Sequence, residues 1–258
     1  MLRPRIIPCL LISNKGLVKT VEFRPSKYIG DPINAVRIFN EKEVDELIVM
    51  DIDASVIGSP PDFMLIQRLA AECRMPLCYG GGIKTVEQAR KIIGLGVEKI
   101  AISSAALDDP KIITAIADEI GSQSVVVVLD VKKTLFGKYT IYTHNGQRKV
   151  NLTPIEAAML AEKKGAGEIV INSIDLDGRM MGYDLKLAID IRKSVGLPVT
   201  FLGGAGSFVD IEKLIQACGV VGAAAGSLFV FKGTYRAVLI NYPSIVERDF
   251  MISRALKL

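Results

Sequence analysis

Short runs of β-branched and other apolar residues alternate with segments of helical period along the whole chain. This is the signature of repeated βα units around a parallel sheet buried on both faces. Eight runs are present: Arg5–Leu11, Glu46–Asp51, Leu77–Tyr79, Lys99–Ser103, Ser124–Asp130, Glu168–Asn172, Val199–Leu202 and Val220–Ala225. Helical segments with turn signals lie between them. Asp31-Pro32 offers a cap and a first-turn proline before INAVRIFNEK, and Asp109-Pro110 does the same before KIITAIADEI. Eight such units predict a closed (β/α)8 TIM barrel, and 258 residues suit one domain spanning 1–258. Two stretches break the rhythm, Asn14–Gly30 and Phe136–Lys149. Each reads as a long βα loop or a hairpin, the part of a barrel that carries function.

The two halves of the chain, about 1–120 and 121–258, resemble each other. Gly80-Gly81-Gly82 and Gly203-Gly204-Ala205-Gly206 begin 123 positions apart, and Ser104 and Ser227 are also 123 apart. Asp51-Ile52-Asp53 and Asp175-Leu176-Asp177 begin 124 apart. A nearly constant offset at three independent places predicts a duplicated half-barrel.

Composition narrows the partners more than the fold. Half of the residues are hydrophobic and 23% are charged, which excludes a disordered chain. The net charge is +4, and basic residues occur singly or in pairs such as Lys132-Lys133, so no arm for nucleic acid is present. Cys9, Cys73, Cys78 and Cys218 form no C-x-x-C pair, which suggests neither a disulfide framework nor a zinc site and fits a reducing cytosol. The opening MLRPRIIPCLLISNKG does not read as a secretory signal. The uncharged stretch Leu214–Phe231 contains Gln216, Gly219, Gly222 and Gly226, so it reads as a helix end, a buried strand and the next helix start rather than as a membrane span. No pattern asks for a metal or another cofactor.

Candidate chemistry gathers at the strand C-termini. Glycine-rich turns let backbone N–H groups approach an anion, and a helix starting there adds its positive end. Gly82, Ser103 and Ser104 would form one phosphate cradle. Gly204, Gly206, Gly226 and Ser227 would form another, after the seventh and eighth strands, where barrels most often hold phosphate. The plainer reading is that these glycines only permit tight turns. Two cradles on opposite rims would suit a ligand with a phosphate at each end. Asp51, Asp53, Asp130, Asp175 and Asp177 also end strands, and Asp130, closing VVVVLD, is the best-placed acid–base group. Lys19, Asp51 and Asp177 are expected on the substrate side of the mouth, although Asp53 and Asp177 also suit helix capping or loop binding.

The other end of the barrel carries charge. Arg5, Ile7, Cys9 and Leu11 share one strand face, so if Leu11 points into the mouth, Arg5 points into the floor. Glu46, Lys99 and Glu168 begin the second, fourth and sixth runs. Two charges of each sign would form a paired layer closing the barrel. Above it Ile7, Cys9, Ile48, Ala101, Val126, Val128 and Val170 would line an apolar bore. Such a bore with a charged plug could also pass a small neutral molecule such as ammonia.

Taken together, RIIPCL, GDP at Gly30-Asp31-Pro32, DELIVMDIDAS, YGGGI, GSQSVVVVLD, GAGEIVINSIDLDG, GYD and GGAG resemble the cyclase subunit of imidazole glycerol phosphate synthase. The resemblance covers roughly residues 1–231. It implies a (β/α)8 barrel that docks a glutaminase on its N-terminal face, takes ammonia through the barrel and uses it at the C-terminal face. The family's ammonia gate matches at Arg5, Glu46, Lys99 and Glu168. Its phosphate turns match at Gly82, Ser104, Gly204 and Ser227, with Ser103 where an asparagine is usual. Of two catalytic carboxylates Asp130 is kept, while the partner position in strand 1 is Leu11. Arg179-Met180-Met181 and the tail from Lys232 also depart from the family pattern.

Leucine cannot move a proton, and losing a general acid–base group costs roughly 10²- to 10⁴-fold in rate. The resemblance therefore points to a divergent paralogue of the kind that, with a glutaminase and a separate sugar amidotransferase, makes acetamidino sugars of surface polysaccharide. Its acceptor would be a phosphorylated or nucleotide-linked sugar. The alternatives are a working cyclase of histidine biosynthesis and a non-catalytic phosphosugar-binding scaffold that activates its glutaminase.

Overall fold

The structure, a computed structural model, describes residues 3–257. Eight parallel strands close on themselves: β1 (Arg5–Ser13), β2 (Leu47–Asp51), β3 (Leu77–Gly80), β4 (Lys99–Ile102), β5 (Val125–Lys133), β6 (Glu168–Ser173), β7 (Val199–Leu202) and β8 (Gly222–Ala225). Each pairs with the next in chain order, and β8 returns to β1 with Arg5 opposite Gly222. The fold is a (β/α)8 TIM barrel.

Strand alternation sorts the side chains into two apolar layers. Ile6, Leu10, Val49, Tyr79, Val127, Leu129, Ile169 and Ile171 face outward into the shell beneath the helices. Ile7, Cys9, Ile48, Cys78, Ala101, Val126, Val128, Val170 and Ala224 face inward as a separate cluster, closed toward the mouth by Leu11, Met50 and Leu202. The helices that cover the shell are α1 (Pro32–Glu41), α2 (Phe63–Glu72), α3 (Val86–Gly94), α4 (Lys111–Ile120), α5 (Pro154–Lys163), α6 (Leu185–Ser194), α7 (Phe208–Cys218) and α8 (Ile245–Leu256). Phe39 on α1 and Ile66 on α2 are fully buried, each worth about 1.5–3 kcal/mol by burial alone. None of the helices among the described residues is long and apolar enough to cross a membrane.

Helix starts follow the local chemistry. The Asp31 carboxylate accepts from Asn34 N at 2.8 Å ahead of Pro32, as expected. Asp109-Pro110 differs. Ser104–Asp108 form a short helix of their own which Asp109 closes, so Pro110 is the N-cap and α4 begins at Lys111. Thr153/Glu156 and Ser244/Glu247 form reciprocal capping boxes at α5 and α8.

Two strands run past their expected ends because hairpins extend them. After β1, Gly16–Lys19 pairs with Leu11–Ser13 and then with Lys27–Gly30. After β5, Tyr139–Thr143 pairs with Asp130–Lys133 and then with Arg148–Val150. The first strand of each half thus carries the same antiparallel extension. The tail also takes a course of its own. Tyr242 donates to the Ile6 carbonyl at 2.8 Å, and Arg248 on α8 donates to the Glu43 carbonyl at 2.9 Å, so α8 starts near the floor.

Candidate active site at the barrel mouth

The C-terminal ends of the strands surround a cavity of about 490 Å³. Leu11, Met50, Ala101, Val128 and Leu202 make its apolar base, above the inner cluster. Asp51, Asp130, Asp177, Lys19, Gly82, Ser103, Ser104 and Gly226 line its walls, so most of the sequence-selected mouth residues share one space. Gly204, Gly206 and Ser227 do not line it.

The three carboxylates have different occupations. Asp51 Oδ1 accepts from the N–H groups of Asp53 and Ala54, each at 3.0 Å, so Asp51 caps the turn that sequence spacing had offered to Asp53. Burial raises the Asp51 carboxyl above its ordinary range against those bonds. Asp53 instead accepts from Asn14 N at 2.9 Å. Asp177 is buried and holds the hairpin after β1: Thr20 Oγ1 donates to it at 2.5 Å and Lys19 Nζ at 3.3 Å. Asp130 accepts from Asn172 Nδ2 at 2.9 Å. Burial pushes the Asp130 carboxyl up to about 7, the Asn172 bond pulls it down and the Asp177 charge pushes it up. A carboxyl poised there can act as acid or base near neutral pH. Cys9 lies beneath, its thiol pushed up to about 12 by burial, so it is not a thiolate nucleophile at neutral pH.

The two glycine-rich turns are built differently. At the first, Gly81 and Gly82 have φ of +122° and +74°, and a Cβ would lie 2.6 Å from Asp51 O and 2.7 Å from Ser59 O, respectively. Only glycine fits, which brings backbone against the cavity. Ser103 Oγ is buried there with no protein hydrogen-bond partner. At the second, a Cβ on Gly204 would lie 2.1 Å from Gly182 O, and one on Gly206 2.3 Å from Met180 O. Gly182 N also donates to Gly204 O at 2.8 Å. The Asp210 carboxylate accepts from the N–H groups of Gly206 and Ser207, at 3.0 and 2.9 Å. The loop after β6 thus packs against this turn as Asp51 and Ser59 pack against the first, and Asp210 takes the Gly206 N–H. Ser227 is buried, while Gly226 reaches the mouth beside Lys19.

At the floor, Arg5, Glu46, Lys99 and Glu168 form a closed ring of alternating charge. Arg5 donates to Glu46 and, at 2.6 Å, to Glu168; Lys99 Nζ reaches both carboxylates at 2.8 Å. Thr200 Oγ1 adds a donor to Glu168 at 2.6 Å. The two carboxylates are 5% and 6% exposed, against 25% and 19% for Arg5 and Lys99, so the cations form the outer lip. Burial raises the Glu168 carboxyl, but the Arg5 and Lys99 charges outweigh it and hold the group below its ordinary range. Glu98 stands beside the ring and accepts from Leu77 N at 2.7 Å.

Asn172, His144 and Thr20 are among the mouth residues that sequence reasoning missed. His144, the chain's one histidine, sits in the turn between Tyr139–Thr143 and Arg148–Val150, where its backbone N–H donates to Ser104 Oγ at 3.2 Å. Its place in the second excursion was the available signal. Asn172 was signalled by ending the sixth apolar run, and its register partner on β5 is Asp130.

Fold and site together define a (β/α)8 barrel with a charge-paired floor and a polar, glycine-cradled cavity at the mouth. The chain matches the histidine biosynthesis protein family over residues 5–236, and it belongs to that family. It is 59% identical over 249 residues to a Vibrio vulnificus protein provisionally named imidazole glycerol phosphate synthase subunit hisF3, covering 96% of each chain. It is 56% identical to a Leptospira interrogans protein provisionally named imidazole glycerol phosphate synthase subunit HisF, covering 96% of this chain and 98% of that one. The imidazole glycerol phosphate synthase subunit HisF of Alkaliphilus metalliredigens is 38% identical, covering 89% and 91%. The chain is thus a HisF-like, cyclase-type subunit by descent.

Proposed function

We propose that this chain is the ammonia-using synthase subunit of a glutamine-dependent enzyme of the imidazole glycerol phosphate synthase type, acting on a substrate that carries phosphate. One spatial relation supports the reading above all: the alternating-charge floor and the Asp130 cavity stand at opposite ends of the same inward-facing apolar cluster, which would serve as the bore. Ammonia is small and neutral and would enter such a bore at far lower cost than an ion, whose burial is expensive. A glutaminase docked on the floor as a heterodimer would release it at the Arg5 and Lys99 lip. At the other end Gly82, Ser103 and Ser104 would hold a phosphate, and Asp130 would exchange protons with the reacting group. The relatives' names, imidazole glycerol phosphate synthase subunits, favour formation of imidazole glycerol phosphate as the reaction, and this reading places it in histidine biosynthesis in the cytoplasm.

One observation favours a second reading. Leu11 brings an apolar side chain to the mouth wall where the family resemblance expects a second carboxylate. A barrel that keeps floor and cradle without the acid–base pair suits ammonia transfer to a phosphorylated or nucleotide-linked sugar. That is the chemistry of acetamidino-sugar synthesis for lipopolysaccharide, here or on a separate sugar amidotransferase. The test supplies the bisphosphorylated substrate of imidazole glycerol phosphate synthase with excess ammonium salt in place of a glutaminase. Turnover that depends on Asp130 supports the cyclase, and no turnover moves the assignment to the sugar reaction.

A further inference from the structure

The hairpin after β5 turns back over the first glycine-rich turn. His144, Asn145 and Gly146 follow one another in the left-handed region, with φ of +53°, +54° and +78°. Few side chains accept that backbone, and it persists where surrounding contacts impose it. Those contacts come from three other segments. His144 N donates to Ser104 Oγ at 3.2 Å, and a Cβ on Gly146 would lie 3.2 Å from Phe23 and 3.9 Å from Ile174. The turn is thus wedged between the segments that follow β4, β1 and β6. Two residues before His144, Tyr142 is the register partner of Asp130. His144 is therefore tied to the Ser104 cradle on one side and to the Asp130 strand on the other, and it lines the cavity that both share. Its ring is half used. Nδ1 lies 3.1 Å from the buried Thr143 Oγ1, which itself donates to the Arg148 carbonyl at 3.5 Å. With its proton so placed, Thr143 accepts from the ring, so the neutral imidazole carries its proton on Nδ1 and offers Nε2 as an acceptor. Among the described residues nothing donates to Nε2.

We propose that His144 is a substrate-binding residue of the mouth, whose Nε2 accepts a hydrogen bond from a hydroxyl that the substrate carries beside the phosphate in the first cradle. The mouth would thereby select phosphorylated polyols and sugars over other phosphomonoesters. The inference rests on the reading that the substrate carries phosphate at Gly82, Ser103 and Ser104. A neutral acceptor matches a hydroxyl donor and offers nothing to phosphate oxygens, which are acceptors themselves. The cradle makes no such distinction, because its N–H groups and the Ser103 hydroxyl would meet the phosphate alone. The wedged turn holds the imidazole in place before the ligand arrives, so little freedom is lost on binding.

The chain has a single histidine, so the imidazole nitrogen signals of protein labelled with nitrogen-15 histidine report this residue alone, without any turnover assay. Those signals should show Nδ1 protonated at about pH 8, above the ordinary titration of imidazole. Glycerol 3-phosphate should shift the Nε2 signal, whereas methyl phosphate, which lacks the hydroxyl, should leave it in place. His144→Asn tolerates the left-handed turn but carries a shorter side chain. By calorimetry it should bind glycerol 3-phosphate about two- to tenfold more weakly, the scale of one hydrogen bond, and methyl phosphate as wild type does. The unchanged methyl phosphate affinity would show the cradle and the fold intact. An unmoved Nε2 signal at saturating glycerol 3-phosphate, or an equal effect of the substitution on both ligands, would overturn the proposal and leave the phosphate cradle standing. Wild type that binds neither ligand at millimolar concentration would overturn the cradle as well.

Discussion

Asn172 Nδ2 donates to Asp130 Oδ1 at 2.9 Å between register partners on β6 and β5. Burial and the Asp177 charge push the Asp130 carboxyl up, and the Asn172 bond is the contribution that pulls it back toward about 7. Asn172→Ala removes that donor, so the carboxyl should titrate at higher pH. The acidic limb of the pH–rate profile should move up with it, because the base form appears later. A limb that stays in place would show that Asp130 is not the group it reports.

The same carboxyl has a stability consequence. Its folded pKa lies above the ordinary 3.8, so the favourable state is the protonated one, fully present below pH 4 and lost as pH rises through about 7. Asp130→Asn should therefore be more stable than wild type at pH 8 and nearly equal at pH 4. A shift of this size sets a ceiling of about 4 kcal/mol, and cavity water will reduce it. Thermal melts at the two pH values read the difference. A variant no more stable at pH 8 would contradict the buried-carboxyl description.

At the floor the sign is opposite. Glu168 is held below its ordinary range by Arg5 and Lys99, so its contribution is present above about pH 4.5 and lost as the pH falls through its depressed folded value. Glu168→Gln removes one carboxylate from a ring in which each cation has two partners. Destabilisation of about 3 kcal/mol at pH 7 is expected, the lower end for breaking a buried pair. Wild type and variant should converge in acid. Denaturant midpoints across pH 3 to 8 check both statements.

Crystals grown in phosphate should carry an ion at Gly82, Ser103 and Ser104, with the Ser103 hydroxyl donating to it at about 2.7 Å. The Gly206 N–H should stay on Asp210 unless the Met180–Gly182 loop moves away. An ion on Gly206 with that loop unmoved would contradict the packing described here.

The barrel was legible because eight apolar runs must be buried on both faces, and no other closed arrangement of eight βα units does so. The floor was legible for a related reason: strand parity puts Arg5 beneath Ile7 and Cys9, and opposite charges at the same height pair. Asp130 could be read from its place at the end of the run VVVVLD. What escaped depended on contacts between distant segments. Asn172 acquires its role only from the β5–β6 register, and His144 only from a hairpin folding over Ser104. The neighbours that pack against the two glycine turns, Asp51 and Ser59 at the first and Met180 and Gly182 at the second, also come from distant segments. The one-residue error at Asp109 arose because a short helix ends where a new one was expected to be capped.

The most direct test of the account is ammonia-dependent turnover of the bisphosphorylated cyclase substrate by wild type, Asp130→Asn and Leu11→Asp, with excess ammonium salt supplying the nitrogen. If Asp130 is the working acid–base group of this mouth, wild type forms product, Asp130→Asn loses about 10²- to 10⁴-fold, and Leu11→Asp gains rate by restoring a second carboxylate. No product from wild type, or a rate unaffected by Asp130→Asn, would contradict it.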